Sequence, residues 1–228
     1  MEIGTNDWSN FLINQAKIID IQLDHTQNHL FAIHAMELIK WNHKINITTI
    51  TDPVEVASSH FLDSLVPARF IPSDATMLDI GSGGGFPGIP LKVFLPKLSV
   101  TLIDASRKKI SFLKHVIRSL KLEHIEALHM RAEDLAIQPS FINRFDVVIS
   151  RALSSLDAFV RLALPLLTNG GVIIALKGEV EKAELDNLRD NVFKKMNSGD
   201  STDRQFTISR ERYSLPTLNA ERSVITVR

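Results

Sequence analysis

The chain contains no cysteine. That excludes disulfide bridges, thiolate metal ligands and any cysteine nucleophile, including the thiol needed to attack a pyrimidine ring carbon. No charge of either sign is in excess, since 26 Lys and Arg stand against 26 Asp and Glu. A globally basic nucleic-acid-binding protein is thereby excluded, whereas a local basic patch is not. No apolar run approaches the roughly 20 residues that span a bilayer, so no membrane association is expected. Met1 to Asp7 carry neither the basic start nor the apolar stretch of a secretion signal. The chain is accordingly expected in the cytoplasm, and the sequon Asn46-Ile47-Thr48 reads as accidental. Internal repeats and low-complexity runs are absent, as are a Gly-Lys-Ser/Thr phosphate loop and a His-Glu-x-x-His pair. His25, His29 and His34 are close in sequence but read as surface or core residues, so no metal site is expected.

What is present suffices for a real core. The 228 residues, 44% of them hydrophobic, fit one domain with an elaboration or two small domains. The first 70 residues read as a helical N-terminal extension. They hold four basic residues (Lys17, Lys40, Lys44, Arg69) against nine acidic ones, the last of which, Asp74, lies just past the boundary. Apolar residues recur at helical spacing over Phe11–Ile19 and over Leu30, Ile33, Ala35, Met36, Ile39 and Trp41. Asp24 or Thr26 suits the cap of the second helix, and Pro53 suits the first turn of a third. Ile71–Asp74 reads as the junction.

Residues 71–228 alternate strand and helix patterns. Strands are expected at Met77–Ile80, Val100–Asp104, Glu126–Met130, Phe145–Ser150, Val172–Leu176, and near Phe206–Tyr213 and Ser223–Val227. Helical faces are marked by Ile110, Leu113, Val116, Ile117 and Leu120, and by Leu156, Phe159, Val160, Ala163, Leu164 and Leu167, the latter ending at Asn169-Gly170-Gly171. The pattern is that of an α/β fold: an open, mostly parallel, Rossmann-like sheet with helices on both faces, whose last two strands pair as a hairpin. Ser198–Ser201, between them and the preceding helix, reads as a loop without an assigned role.

The strongest motif is Asp79-Ile80-Gly81-Ser82-Gly83-Gly84-Gly85, after a strand and before a helix. A dehydrogenase fingerprint wants a small residue at its sixth position, and Phe86 stands there. Acid-x-Gly-x-Gly-x-Gly instead matches the S-adenosylmethionine loop of Rossmann-like methyltransferases. Asp104 ends the second strand 21 residues after Gly83, where an acid can accept from both ribose hydroxyls. Arg131-Ala132-Glu133-Asp134 follows the third strand, at the place of an adenine-side loop; ordinary solvated charges are the competing reading. Arg151 ends a central strand, where open-sheet ligand sites lie, with a salt bridge to Asp79 or Glu133 as its alternative role.

The acceptor is approached by elimination. A pyrimidine carbon requires the missing thiol. An exocyclic amine usually brings a Pro-Pro-aromatic clamp after the fourth strand, where this chain reads Ser150-Arg151-Ala152-Leu153. A ring nitrogen such as guanine N7 needs orientation and no strong base. No catalytic base is assigned. Between Lys92 and Lys121 eight basic residues (Lys92, Lys97, Arg107, Lys108, Lys109, Lys114, Arg118, Lys121) accompany one acid, Asp104. Arg107, Lys114, Arg118 and Lys121 are spaced to share a helix face, a footprint suited to an RNA backbone, or else a solvated surface.

Gly81-Ser82-Gly83-Gly84-Gly85-Phe86-Pro87-Gly88-Ile89-Pro90-Leu91 closely resembles the small-subunit ribosomal RNA guanine-N7 methyltransferases, also called the glucose-inhibited division protein B family. Trp41-Asn42, Asn46–Ile50, His60–Leu65, Asp104 with Lys108-Lys109 and Phe112-Leu113, Arg131–Glu133, Ser150–Ala152, Lys177-Gly178 and Tyr213–Pro216 extend the resemblance over nearly the whole chain. Phe86 departs mildly, standing where many members have Leu. The resemblance implies an enzyme with a class I methyltransferase fold that methylates a 16S ribosomal RNA guanine with S-adenosyl-L-methionine. It implies 16S rRNA or the small ribosomal subunit as partner; monomer is the default expectation. It places cofactor contacts on Gly81, Phe86, Ala132, Glu133 and Arg151, to which the loop and ribose readings add Gly83 and Asp104. His60, Asp63 and Lys177 fall in matching segments, where they either shape the substrate side or, for the first two, stabilise the junction. The alternatives are a methyltransferase of this fold acting on a small molecule or protein, and a non-enzymatic regulator with a degenerate pocket; the intact Asp79, Gly81, Gly83 and Asp104 set disfavours the latter.

Overall fold

A computed structural model describes residues 1–135, 137–151, 155–196, 206–217 and 221–228, with the backbone alone for 191–196. Ser198–Ser201 lies outside the described residues. Seven strands form one sheet: β1 (Thr76–Ile80), β2 (Ser99–Asp104), β3 (Ile125–His129), β4 (Phe145–Arg151), β5 (Leu167–Lys177), β6 (Ile208–Ser214) and β7 (Glu221–Val227). Their order is β3-β2-β1-β4-β5-β7-β6. β1 to β5 pair in parallel, while β7 runs antiparallel between β5 and β6. The expected terminal hairpin is therefore present. The inner strands are apolar along their length because helices cover both faces. Alternate residues of one strand serve the two cores: Met77, Val147 and Ile174 face one, Leu78, Val148 and Ile173 the other.

The N-terminal helices build the first face. α1 (Asn6–Ile18) is capped by Thr5, and α2 (His25–Ile45) starts in a capping box, Asp24 accepting from Gln27 N–H while the Gln27 side chain accepts from Asp24 N–H. Asp52 caps a continuous helical segment of α3 (Pro53–Glu55), a π-helical stretch Val56–Leu62 and α4 (Asp63–Leu65). The last turn before the sheet is Val66–Phe70. Trp8 donates to Pro53 C=O at 2.8 Å and meets Phe61 edge-on at 5.9 Å, so α1 is fastened to that segment. These helices share their core with α5 (Gly88–Phe94) and α6 (Arg107–Ser119). α7 (Ala132–Leu135) follows β3, and α8 (Leu156–Ala163) and α9 (Lys182–Met196) cover the opposite face.

Three expectations are corrected. α8 ends at Ala163, not at Asn169-Gly170-Gly171, because Pro165 has no N–H to continue it. Leu167 already belongs to β5, and Gly170 (φ +83°) lies within that strand, in the stretch where the β4 pairing changes register. α2 buries Phe31, His34, Ala35 and Leu38, leaving Met36 exposed, because the polar Asn28 and His34 take core positions by bonding carbonyls of Ser9 and Gly84. Lys121 lies beyond α6, in the left-handed conformation after its C-cap, so it leaves the helical stripe.

Candidate active site

β1 turns toward β2 on one side and β4 on the other, so the crevice beyond its carboxyl end lies at the point where the strand order reverses. The glycine loop fills that end. Gly81, Gly83 and Gly85 all have positive φ, between 58° and 89°. Gly81 and Ser82 N–H both bond Ile103 C=O at 3.0 Å, which sews the loop to β2. Asp104 completes the seam: its two oxygens accept from Gly83 N–H at 3.0 Å and Ser106 N–H at 2.7 Å. A carboxylate has about four lone-pair sites, so about two remain for ligand hydroxyls. In front of Gly81 a Cβ would meet nothing within 4 Å, which leaves room for a ligand against the backbone.

Asp79 supports the loop from below. It is fully buried, and its Oδ2 accepts from Gly88 N–H at 3.0 Å while Oδ1 has no hydrogen-bond partner. Burial pushes its carboxyl up to about 7, with the Gly88 bond opposing. Gly88 itself admits no side chain, since a Cβ would stand 2.3 Å from Leu102 Cδ2 and 2.7 Å from Asp79 Oδ2.

A cavity of about 480 Å³ lies against this loop, bounded by Gly81, Gly83, Phe86, Lys109, Arg151 and the loop Asn46–Thr49. Asn42 shapes that last wall: its Oδ1 accepts from Ile47 and Thr48 N–H and its amide donates to Thr48 C=O. Phe86 is buried in a stack between His34 (4.8 Å, 11°) and His60 (4.5 Å, 12°). Burial draws His34 down to about 4 and burial plus the Arg151 charge draw His60 down to about 3, so both rings are neutral at physiological pH. Neutral His34 donates from Nε2 to Gly84 C=O at 2.8 Å, tying α2 to the loop.

Arg151 ends β4 with its guanidinium 5.3 Å from the Phe86 ring centroid. It donates to Ser59 C=O, to Asp63 at 3.4 Å and to His60 Nδ1 at 3.4 Å. Its ion-pair partner is thus Asp63, neither Asp79 nor Glu133. Burial lowers its pKa, and Asp63 opposes that shift. Asp63 is fully buried and also accepts from Tyr213 OH at 2.7 Å and Arg222 at 3.3 Å. Burial and the Asp63 charge push the Tyr213 phenol well above its ordinary value, so it stays a donor. Beyond Arg151 and His60 lies a second chamber of about 290 Å³, reached by Ile50, Leu176, Lys177 and Arg222. Lys177 is held there by Glu184.

Of the residues expected to form the site, Gly81, Gly83, Phe86 and Arg151 meet at the larger cavity, with Asp104 bonded to Gly83. Ala132 and Glu133 do not line it; they begin α7 just past Met130, whose N–H bonds Asp104 C=O at 3.2 Å, and Glu133 is exposed. Lys92 leaves the basic patch: it is buried, its ammonium donating to Pro96 and Leu98 carbonyls, and burial lowers its pKa. Arg107, Lys108, Lys114, Arg118 and Lys121 are exposed and form no ion pair among the described residues. His34, Arg222 and the partnership of Tyr213 with Asp63 were not legible in local spacing; their partners lie 50, 159 and 150 residues away.

Solved methyltransferases share this fold. Aquifex aeolicus has a solved S-adenosylmethionine-dependent methyltransferase similar in fold: TM-score 0.55, 15% identity, 85% of this chain and 97% of that one. Aeropyrum pernix fibrillarin, solved with S-adenosyl-L-methionine, matches with TM-score 0.52 and 16% identity over 69% of each chain. Ribosomal RNA small subunit methyltransferase G of Desulfitobacterium hafniense is 42% identical over 167 residues, 73% of this chain and 70% of that protein. Its namesake from Geotalea uraniireducens is 43% identical over 184 residues, 78% and 83% of the two chains. The family model for rRNA small subunit methyltransferase G matches residues 27–207. On that match and those identities, the chain belongs to the rRNA small subunit methyltransferase G family.

Proposed function

We infer that the protein transfers a methyl group from S-adenosyl-L-methionine to N7 of a guanine in 16S ribosomal RNA. The observation that carries this reading is the glycine loop, open at Gly81 and anchored through Gly83 to Asp104, in a chain of this family. The residues fit the cofactor. Gly81 and Gly83 would let it lie against the backbone, Asp104 would accept from ribose hydroxyls, and Arg151 would meet its carboxylate. Ala132 and Glu133 follow Met130, which is bonded to Asp104 C=O, and would take the adenine side. Bound there, S-adenosyl-L-methionine supplies an electrophilic methyl on a sulfonium.

The chain's own task is positioning. N7 brings a free lone pair and loses no proton on transfer, so no general base is required. His60 suits this: it is neutral, and both ring nitrogens are engaged, by Arg151 and by Thr48 Oγ1 at 3.0 Å. The stacked rings and the Asp63 cluster fix Arg151 between the two cavities, where it would hold the reacting partners in line. Residues 1–70 act as an extension that walls the site with Asn46–Thr49 and His60, and 71–228 as the transfer domain. The exposed cations of α6 meet RNA phosphate. We read the protein as a cytoplasmic monomer acting on the small subunit or its RNA.

The test is incorporation of labelled methyl from S-adenosyl-L-methionine into small subunits from cells lacking the enzyme. N7-methylguanine at a single 16S position supports the reading; cofactor binding without RNA labelling contradicts it.

A further inference from the structure

We propose that the second chamber receives the acceptor guanine, turned out of the RNA, and that Arg222 reads its O6. This rests on the RNA methyl-transfer reading above. The chamber adjoins the cofactor cavity directly, since His60 and Arg151 line both. A base seated there presents one edge to the cofactor. Its volume, about 290 Å³, lies at the small end of ligand sites, suited to one nucleobase and not to a stretch of oligonucleotide.

The wall chemistry selects the base. Arg151, Lys177 and Arg222 all reach the chamber, and among the described residues no carboxylate lines it. Guanine presents two acceptors, N7 and O6, on its major-groove edge, whereas adenine puts an amino donor where guanine has O6. A donor aimed at position 6 therefore accepts guanine O6 as partner and leaves the adenine amino group facing a cation, while N7, common to both bases, stays free for transfer. Ile50 and Leu176 supply apolar surface for the ring faces.

Among the three cations Arg222 has the most free capacity. Arg151 is committed to Ser59, Asp63 and His60, and Lys177 to Glu184. Arg222 gives one Nη nitrogen to Asp63 at 3.3 Å, and its Nε is buried away from the chamber, so the remaining Nη hydrogens are the ones open to a base. Asp63 thus holds the guanidinium in place while leaving donors for O6. With O6 held by Arg222, N7, the adjacent acceptor on the same edge, is left to face the His60–Arg151 boundary, as transfer requires.

The experiment replaces the methylated guanine of 16S RNA, in reconstituted small subunits, with 2-aminopurine, which keeps N7 and lacks O6. Transfer rates on both substrates are compared for the unsubstituted protein, Arg222→Met and Arg222→Lys, with cofactor titration reporting that each variant is folded. The unsubstituted protein is expected to prefer guanine by about 10- to 100-fold, the worth of a charge-assisted hydrogen bond. Arg222→Met brings that preference toward parity by slowing transfer to guanine alone. Arg222→Lys, which keeps a cation beside Asp63 without the planar fork, gives an intermediate preference. An unchanged preference in Arg222→Met overturns the inference, as does equal transfer to both bases by the unsubstituted protein. If Arg222→Met fails to bind cofactor, Arg222→Lys decides, and an unchanged preference there overturns it equally. Failure of the parent reading is told apart by the guanine substrate alone, since the unsubstituted protein would then leave it unlabelled.

Discussion

The two fully buried carboxylates at the site, Asp63 and Asp79, differ in how they are compensated. Asp63 is met by two guanidiniums and a phenol, and removing it takes the counter-charge from both guanidiniums and the acceptor from the phenol. Asp63→Ala is expected to cost about 3–5 kcal/mol, the usual penalty for breaking a buried charge cluster from one side, read by urea unfolding. A loss below about 1 kcal/mol, the range of surface pairs, would contradict the burial argument. Asp79 has only Gly88 N–H on one oxygen, and its carboxyl is raised from 3.8 to about 7. A raised acid binds its proton more tightly in the folded chain, so its contribution is full below 3.8 and is lost as pH rises through about 7. His34 and His60 act in the opposite direction. Their lowered values mean that stability is full above 6.5 and is lost as pH falls toward about 4 and about 3. Asp79→Asn removes only the first contribution. Its stability relative to the parent is expected to rise between pH 5 and pH 8, and a constant difference would show that Asp79 is not protonated in the fold. Asp79 was legible because loop and acid are neighbours in sequence. The partners of Asp63 were not, because only the folded sheet brings β4, β6 and β7 beside the start of α4.

At the scale of elements, α6 carries the claim about RNA. Its buried face of Ile110, Phe112, Leu113 and Val116 packs on the sheet, and its outer face presents Arg107, Lys114 and Arg118. Lys114→Glu with Arg118→Glu is expected to lower transfer to small subunits at least about tenfold. It should also flatten the salt dependence by about one unit of slope for each phosphate no longer neutralised. Cofactor affinity should stay within about twofold, since neither residue lines the cavity. Equal losses of cofactor binding and transfer would assign the helix a purely structural role. The apolar face of α6 was readable from its period. Lys92 and Lys121 were misplaced in the basic stripe because spacing reports neither a buried ammonium bonded to carbonyls nor a helix that stops at Ser119. The end of α8 is a similar case: apolar periodicity ran on past Ala163, and Pro165 decided the boundary.

In the whole molecule, every element of the site converges on the carboxyl ends of β1, β2, β4 and β5. The N-terminal helices and α6 press on one face of the sheet and α8 and α9 on the other. The helices of residues 1–70 reach over the glycine loop through His34, His60 and Asn42. Strand alternation was enough to predict the sheet and its hairpin. It could not say that a histidine-phenylalanine stack would join the extension to the loop, since that stack depends on tertiary packing. The most direct test of this account is a single measurement on the intact protein: transfer of labelled methyl from S-adenosyl-L-methionine to enzyme-free small subunits, followed by mapping of the product. The account predicts one N7-methylated guanine in 16S RNA. Methyl on another atom, on many scattered sites, or on protein alone would contradict it.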